Sequence, residues 1–129
     1  MKTIGSTLLS DPLDAALIIS KQLTKSDVKR NVILPKQQTE SVLMRMDGGV
    51  TAEELQNGKV VKVIDLEEGD EYMVTLRSRD NKYEFGDGWY TMKYSLDLQV
   101  GEILKLYWYQ DQRIFVVLNF DHTVQHVPA

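Results

Sequence analysis

The stretch Lys21-Gln22-Leu23-Thr24-Lys25-Ser26-Asp27-Val28, followed by Asn31-Val32-Ile33-Leu34-Pro35-Lys36, decides how this chain is read. Thr24 and Asp27 stand three apart, the spacing of a capping box in which Thr24 accepts from the third helical N–H and Asp27 reaches back. The helix they open lasts only a turn or two, because Asn31 and the β-branched Val32-Ile33 follow. The stretch thus reads as a strand edge, one capped helical turn and a second short strand, with cations at the exposed steps. Just upstream, the apolar run Ala15 to Ser20 is expected to begin the first strand.

Charge is segregated. Between Ser20 and Arg45 the cations Lys21, Lys25, Lys29, Arg30, Lys36 and Arg45 face only Asp27 and Glu40, a local balance of +4 in a chain of net charge −4. Residues 46–75 hold two lysines against eight carboxylates, a balance of −6. Local fields rather than net charge steer a polyanion at distances near the Debye length of about 8 Å. A basic surface on an acidic chain points to an anionic partner, or to a solvated face that balances the acidic region.

At 129 residues, 43% hydrophobic and 26% charged, the chain fits one globular domain with a single core. It has no cysteine, which excludes disulfides, thiolate zinc sites and cysteine nucleophiles and is compatible with a reducing compartment. No apolar run approaches the roughly 20 residues of a membrane helix. Leu8-Leu9 and Leu13 are interrupted by Ser10, Asp11 and Pro12, a poor signal peptide, so an intracellular protein is expected. Residues 1–14 read as a loosely ordered leader, 15–120 as the folded domain and 121–129 as a tail.

Further along, Lys36 to Met46 suits a helix at Gln37, Glu40 and Leu43 but an irregular crossing at Thr39 and Val42. Asp47-Gly48-Gly49 is a turn. Val60 to Leu66 is β-rich and closed by Glu68-Gly69-Asp70. Tyr72 to Arg79 alternates, with Tyr72, Val74 and Leu76 on one face and Met73, Thr75, Arg77 and Arg79 on the other. Asp80-Asn81 signals a hairpin turn and Gly86-Asp87-Gly88 another. Trp89 to Leu98 is the best second helix. In Ile103–Tyr109, Leu104, Leu106 and Trp108 alternate with Lys105 and Tyr107; Arg113–Phe120 is the last strand, with Ile114, Val116 and Leu118 inward. The fold class is mainly β with two short helices, a small barrel with helices at its ends.

On these residues the chain resembles the plant B3 DNA-binding domain. The match rests on Lys21 to Val28 and Val32-Ile33-Leu34-Pro35-Lys36. It continues through Gly88-Trp89, Leu98 to Leu106, Leu106-Tyr107-Trp108 and Phe115-Val116-Val117-Leu118, all in the family's order. The resemblance spans roughly residues 15–120 and is closest to the divergent, reproductive-meristem-like members. It implies an open barrel of seven strands capped by two short helices, whose two arms clasp the major groove of double-stranded DNA. The first arm maps onto Lys21, Lys25, Lys29, Arg30 and Asn31, the second onto Arg77-Ser78-Arg79-Asp80-Asn81-Lys82. It further implies a nuclear, non-enzymatic transcription regulator needing no cofactor, no membrane and no small-molecule substrate.

The residue types suit that task. Arg77 and Arg79 share a strand face and can enter a groove together. Arginine bonds guanine bidentately, and Asn81 can do the same for adenine. Lys21, Lys25, Lys29 and Lys36 would meet phosphates, which gives affinity without sequence information. Within the second arm, Asp80 and Glu84 carry charge that opposes phosphate, and Tyr72-Met73-Val74-Thr75 replaces the family's usual tryptophan and phenylalanine.

Other readings compete. The basic residues could be a solvated face, and Arg77 and Arg79 could pair with acidic strand neighbours. A protein-interaction module on the same barrel would use the acidic region 65–71 for protein partners. The recognition part of a restriction endonuclease is a further rival, though no catalytic constellation is visible. Trp89 and Trp108, set among Leu and Val, belong to the core rather than to base stacking. His122 and His126 have helical metal-ligand spacing but no third ligand, so no metal is expected. Gly86-Asp87-Gly88 is a turn rather than a phosphate loop.

Overall fold

Apolar alternation carries most of the strands, and they close on one another in an order that sequence adjacency alone does not give. The computed structural model describes residues 13–46 and 49–119. The expected leader, apart from Leu13 and Asp14, and the expected tail with His122 and His126 lie outside the described residues, as do Asp47 and Gly48 of the expected turn. The strands are β1 Ile18–Gln22, β2 Val32–Leu34, β3 Lys59–Asp65, β4 Glu71–Arg79, β5 Lys82–Phe85, β6 Ile103–Tyr109 and β7 Ile114–Val117. They form one sheet in the order β1-β6-β7-β3-β4-β5-β2, all antiparallel except the β3–β7 pair. The two outer strands, β1 and β2, approach each other, so the sheet curls into a nearly closed barrel.

Four α-helices occur among the described residues: α1 Lys25–Lys29, α2 Lys36–Leu43, α3 Ala52–Asn57 and α4 Trp89–Ser95. The first and last are the two expected. The segment left open after Pro35 resolves as α2, which buries Thr39, Val42 and Leu43 against the barrel. α3 was not anticipated. Its signal is a second capping box, Thr51 accepting from Glu54 N–H and Glu54 reaching back to Thr51, with Leu55 the one residue it buries. Leu17 and its neighbours, read as strand, form a 3₁₀ turn over Ala15–Leu17 capped by Asp14 before β1 begins at Ile18.

The core follows the alternation, with one systematic excess. β4 buries Tyr72, Val74 and Leu76 and turns Met73, Thr75, Arg77 and Arg79 the other way, as its pattern requires. In β7 all four residues are buried, and β6 buries Tyr107 as well as Leu106 and Trp108. β7 lies between β3 and β6 in mid-sheet, where both faces can be covered, so strict alternation fails there. Trp108 and Phe115 meet edge to face at 5.0 Å, and Phe85 meets Phe115 at 6.2 Å. Both tryptophans belong to this core, at 1% and 3% exposure.

Candidate nucleic-acid interface

The first arm is built around a buried carboxylate. Asp27, 2% exposed, closes the α1 capping box: Thr24 N–H donates to its Oδ2 at 2.9 Å, while Thr24 Oγ1 accepts from Asp27 N–H at 3.1 Å. The other carboxylate oxygen accepts from Ile33 N–H in β2 at 3.1 Å, so one side chain fixes both the start of the helix and the strand after it. Lys21 in β1 completes the cluster, its Nζ 3.3 Å from Asp27 Oδ2. The far end of α1 is held by α4, where Trp89 Nε1 donates to the Asp27 carbonyl at 2.9 Å and Lys93 Nζ to the Val28 carbonyl at 2.6 Å. Lys93 also sits 4.3 Å from the Tyr90 ring centroid.

The second arm is the β4–β5 hairpin. Asp80 and Asn81 form its two-residue turn with φ of 53° and 63°, the mirror-image turn that matches strand twist. Arg77 stands opposite Glu84 and Arg79 opposite Lys82. Ser78, on the alternate face, stands opposite Tyr83. Tyr83 donates from its hydroxyl to Glu40 at 3.0 Å; burial, with this carboxylate partner second, raises its hydroxyl above the usual tyrosine value.

The arms meet because β2 pairs with β5, Val32 opposite Phe85 through Leu34 opposite Tyr83. Asn31 and Lys36 flank β2, so both are delivered to the hairpin. Lys36 Nζ donates to Asn81 Oδ1 at 3.2 Å. Asn31 Nδ2 donates to Glu84 Oε2 at 2.9 Å, and Arg77 Nε and Arg79 Nη2 lie 3.8 and 4.0 Å from that same oxygen. Glu84 is 6% exposed, so this carboxylate, read from sequence as a repulsive surface charge, is instead a buried junction of both arms. The sequence places Asp80 in the hairpin turn, but the burial of Glu84 follows from its pairing with Arg77 on one side and Ile33 on the other.

Each sequence-predicted site residue therefore has a place. Lys25, Lys29, Arg30, Lys36, Arg79, Asn81 and Lys82 are exposed, and Asn31, Arg77 and Ser78 are half-buried. Lys21 is largely covered, with 20% of its side chain exposed and its charge committed to Asp27. Arg77 lies against Gly86, where a Cβ would fall 2.5 Å from Arg77 Nη2. Beside these residues runs a groove of about 300 Å³ between Lys29, Arg30 and Asn31 of the first arm and Gly86, Gly88 and Trp89.

The acidic residues 65–71 lie at the other end of β4. β4 starts at Glu71 and ends at Arg79, eight steps or about 26 Å at roughly 3.3 Å per residue. That is about three Debye lengths. Asp65, Glu67, Glu68 and Asp70 line a pocket of about 250 Å³ there. Burial pushes the Asp65 carboxyl above its ordinary range, against the pull of the Glu67 and Glu68 backbone N–H groups. No group of three or more His, Cys, Asp or Glu among the described residues is placed to hold a metal ion. No helix of the described residues is long and apolar enough to cross a membrane.

A seven-stranded barrel with two adjoining arms is the architecture of a DNA-binding pseudobarrel. Residues 18–119 match the family described as "B3 domain-containing protein At5g26805, C-terminal domain". The chain belongs to the B3 domain-containing proteins. It is 59% identical over 111 residues to the B3 domain-containing protein At1g43171 of Arabidopsis thaliana, covering 85% of this chain and 98% of that one. It is 51% identical over 118 residues to At5g54067 from the same plant, covering 89% and 92%. A longer relative, At1g50220 of Arabidopsis thaliana, is 58% identical over 113 residues, which cover 87% of this chain but only 55% of that one. The fold is shared with two solved structures. They are an Arabidopsis thaliana LEC2–DNA complex (TM-score 0.61, 16% identity, 78% of this chain and 88% of that one) and an Arabidopsis FUS3–DNA complex (0.59, 20%, 76% and 91%).

Proposed function

We propose that this chain is the sequence-specific, double-stranded-DNA-binding domain of a plant transcription regulator acting in the nucleus, without enzymatic activity. The observation that carries this is the convergence of Asn31 from the first arm with Arg77 and Arg79 from the second on one buried oxygen of Glu84. Two fold neighbours solved as DNA complexes support it.

In this reading Arg77, Arg79 and Asn81 read base edges in the major groove, with Asn31 and Ser78 beside them. Lys25, Lys29, Arg30, Lys36 and Lys82 meet phosphates and set register. Lys21 supports the arm from below, since Asp27 already occupies its charge. A bidentate arginine–guanine contact is worth about 1–3 kcal/mol of discrimination.

The test is selection of a preferred duplex from a random library, followed by titration of point variants over a salt series. Arg79→Ala is expected to lower affinity for the selected duplex about 5- to 150-fold, with much less effect on random sequence. Lys25→Ala should weaken both alike and reduce the salt slope by about 1. Equal losses on both duplexes from both variants would refute this division of labour. A chain that selects no duplex but holds a protein partner through residues 65–71 would instead support an interaction module.

A further inference from the structure

We propose that Glu84 is the positioning residue of the interface: it ties the two arms together and, by its charge, holds down affinity for random DNA. The role rests on the DNA-binding reading above. Three observations lead to it. Glu84 is 6% exposed yet bears a carboxylate, which burial makes costly unless partners compensate it. Its partners are all proposed site residues, Asn31 from one arm and Arg77 and Arg79 from the other. The cluster is also incompletely bonded. Arg77 Nε is buried without a hydrogen-bond partner, 3.8 Å from Glu84 Oε2, so the guanidinium is held by charge but not saturated.

The geometry has two consequences. A shared anchor fixes the spacing of Asn31 and the two arginines before a duplex arrives, which reduces the ordering cost of binding. The same carboxylate cancels one of the two guanidinium charges, which lowers the electrostatic attraction that supplies non-specific binding. Both effects raise the ratio of specific to random affinity. The acidic residue is therefore part of the site rather than a sign of its loss.

Two variants separate the effects. Glu84→Gln keeps the shape and removes the charge. It is expected to tighten random-duplex binding, steepen the salt slope by about 1, and lower the specific-to-random ratio about fivefold or more. Glu84→Asp keeps the charge but draws the oxygens back by one methylene. It should leave the salt slope at the wild-type value and still lower the ratio. A purely structural role would shift the melting temperature of both variants and leave the slope of each unchanged; that result overturns the proposal.

Should Glu84→Gln fail to fold, the Glu84→Asp titration and the guanidinium spectra of the wild-type chain decide. Slowly rotating Arg77 and Arg79 guanidiniums in the free chain, perturbed by the selected duplex, support the anchor; freely averaged ones overturn it. A wild-type chain that selects no duplex removes the DNA reading and this role together. Wild-type selection matched in slope and ratio by both variants removes the role alone.

Discussion

Replacing Asp27 by Asn tests the account of the first arm most directly. The carboxylate accepts from two backbone N–H groups, Thr24 at 2.9 Å and Ile33 at 3.1 Å, and neutralises Lys21 at 3.3 Å, all while 2% exposed. Asparagine keeps one oxygen, so one N–H loses its acceptor and meets an NH₂ donor instead. A hydrogen bond to a charged group contributes about 1.5–3 kcal/mol, and a buried donor left without a partner costs at least as much as the bond. Lys21 is partly exposed and can turn to water, so losing the ion pair adds about 1 kcal/mol at most.

The expected destabilisation is therefore about 2–4 kcal/mol, against a typical total of roughly 5–15. For a domain of this size it corresponds to a melting-temperature drop of about 6–16 °C. Circular dichroism melts and urea titrations measure it, and an unchanged urea m-value keeps the comparison two-state. Lys21→Met serves as the control, because it removes the ion pair but neither backbone hydrogen bond. If Asp27→Asn lowers the melting temperature by less than about 2 °C, or if Lys21→Met costs as much, the hydrogen-bond argument is wrong.

The remaining predictions concern two glycines and one carboxyl. At Gly88, with φ of 92°, a Cβ would fall 2.0 Å from the Met73 carbonyl oxygen, so Gly88→Ala meets backbone that cannot yield. It should cost about 3 kcal/mol or more and leave little folded protein; a melt within 3 °C of wild type contradicts this. At Gly86 the added Cβ meets only the tip of Arg77, a flexible side chain, so Gly86→Ala should fold normally yet displace that guanidinium and lose duplex selectivity. Asp65, raised by burial, binds its proton more tightly folded than unfolded, so its stabilising protonation is lost as pH rises through the folded value and its ionised form costs stability at pH 7. Asp65→Asn, which keeps Oδ1 for the Glu67 N–H, should melt higher than wild type at pH 7. That gain should shrink towards pH 3.5, below the unfolded value, and a variant less stable at pH 7 reverses the assignment.

Much of the fold was legible because the relevant signals are local. Thr24 with Asp27 announced α1, Asp80-Asn81 announced the hairpin, and the alternation through Tyr72–Arg79 fixed which face of β4 carries Arg77 and Arg79. α3 was missed although Thr51 and Glu54 repeat the same capping pattern, because only Leu55 gives that segment an apolar position. Tyr107 departs from the alternation because its end of β6, beside the fully buried β7, is covered on both faces while Ile103 and Lys105 stay exposed, a property of position in the sheet rather than of the strand's own sequence. The makeup of both arms was visible. Their junction was not, since it depends on the pairing of Ile33 with Glu84 across 51 positions.

Counting charges along the chain identifies its basic stretches but not which carboxylates within the two arms are buried and must collect donors. Asp27, read from sequence as a helix cap, and Glu84, read as a charge opposing phosphate, are each also the atom group around which an arm is ordered. The distinction is burial. An exposed carboxylate among lysines is screened and contributes little, whereas one that is 2% or 6% exposed must collect donors, here the Thr24 and Ile33 N–H groups and Lys21 for Asp27, and Asn31 with the two arginines for Glu84. On the same logic Lys21, paired with Asp27, offers less of its charge outward than the exposed Lys25 and Lys29 of α1 and Arg30 just after it, despite its place at the head of the basic stretch. What the first arm offers a polyanion is thus set by which of its charges the buried acids have already claimed.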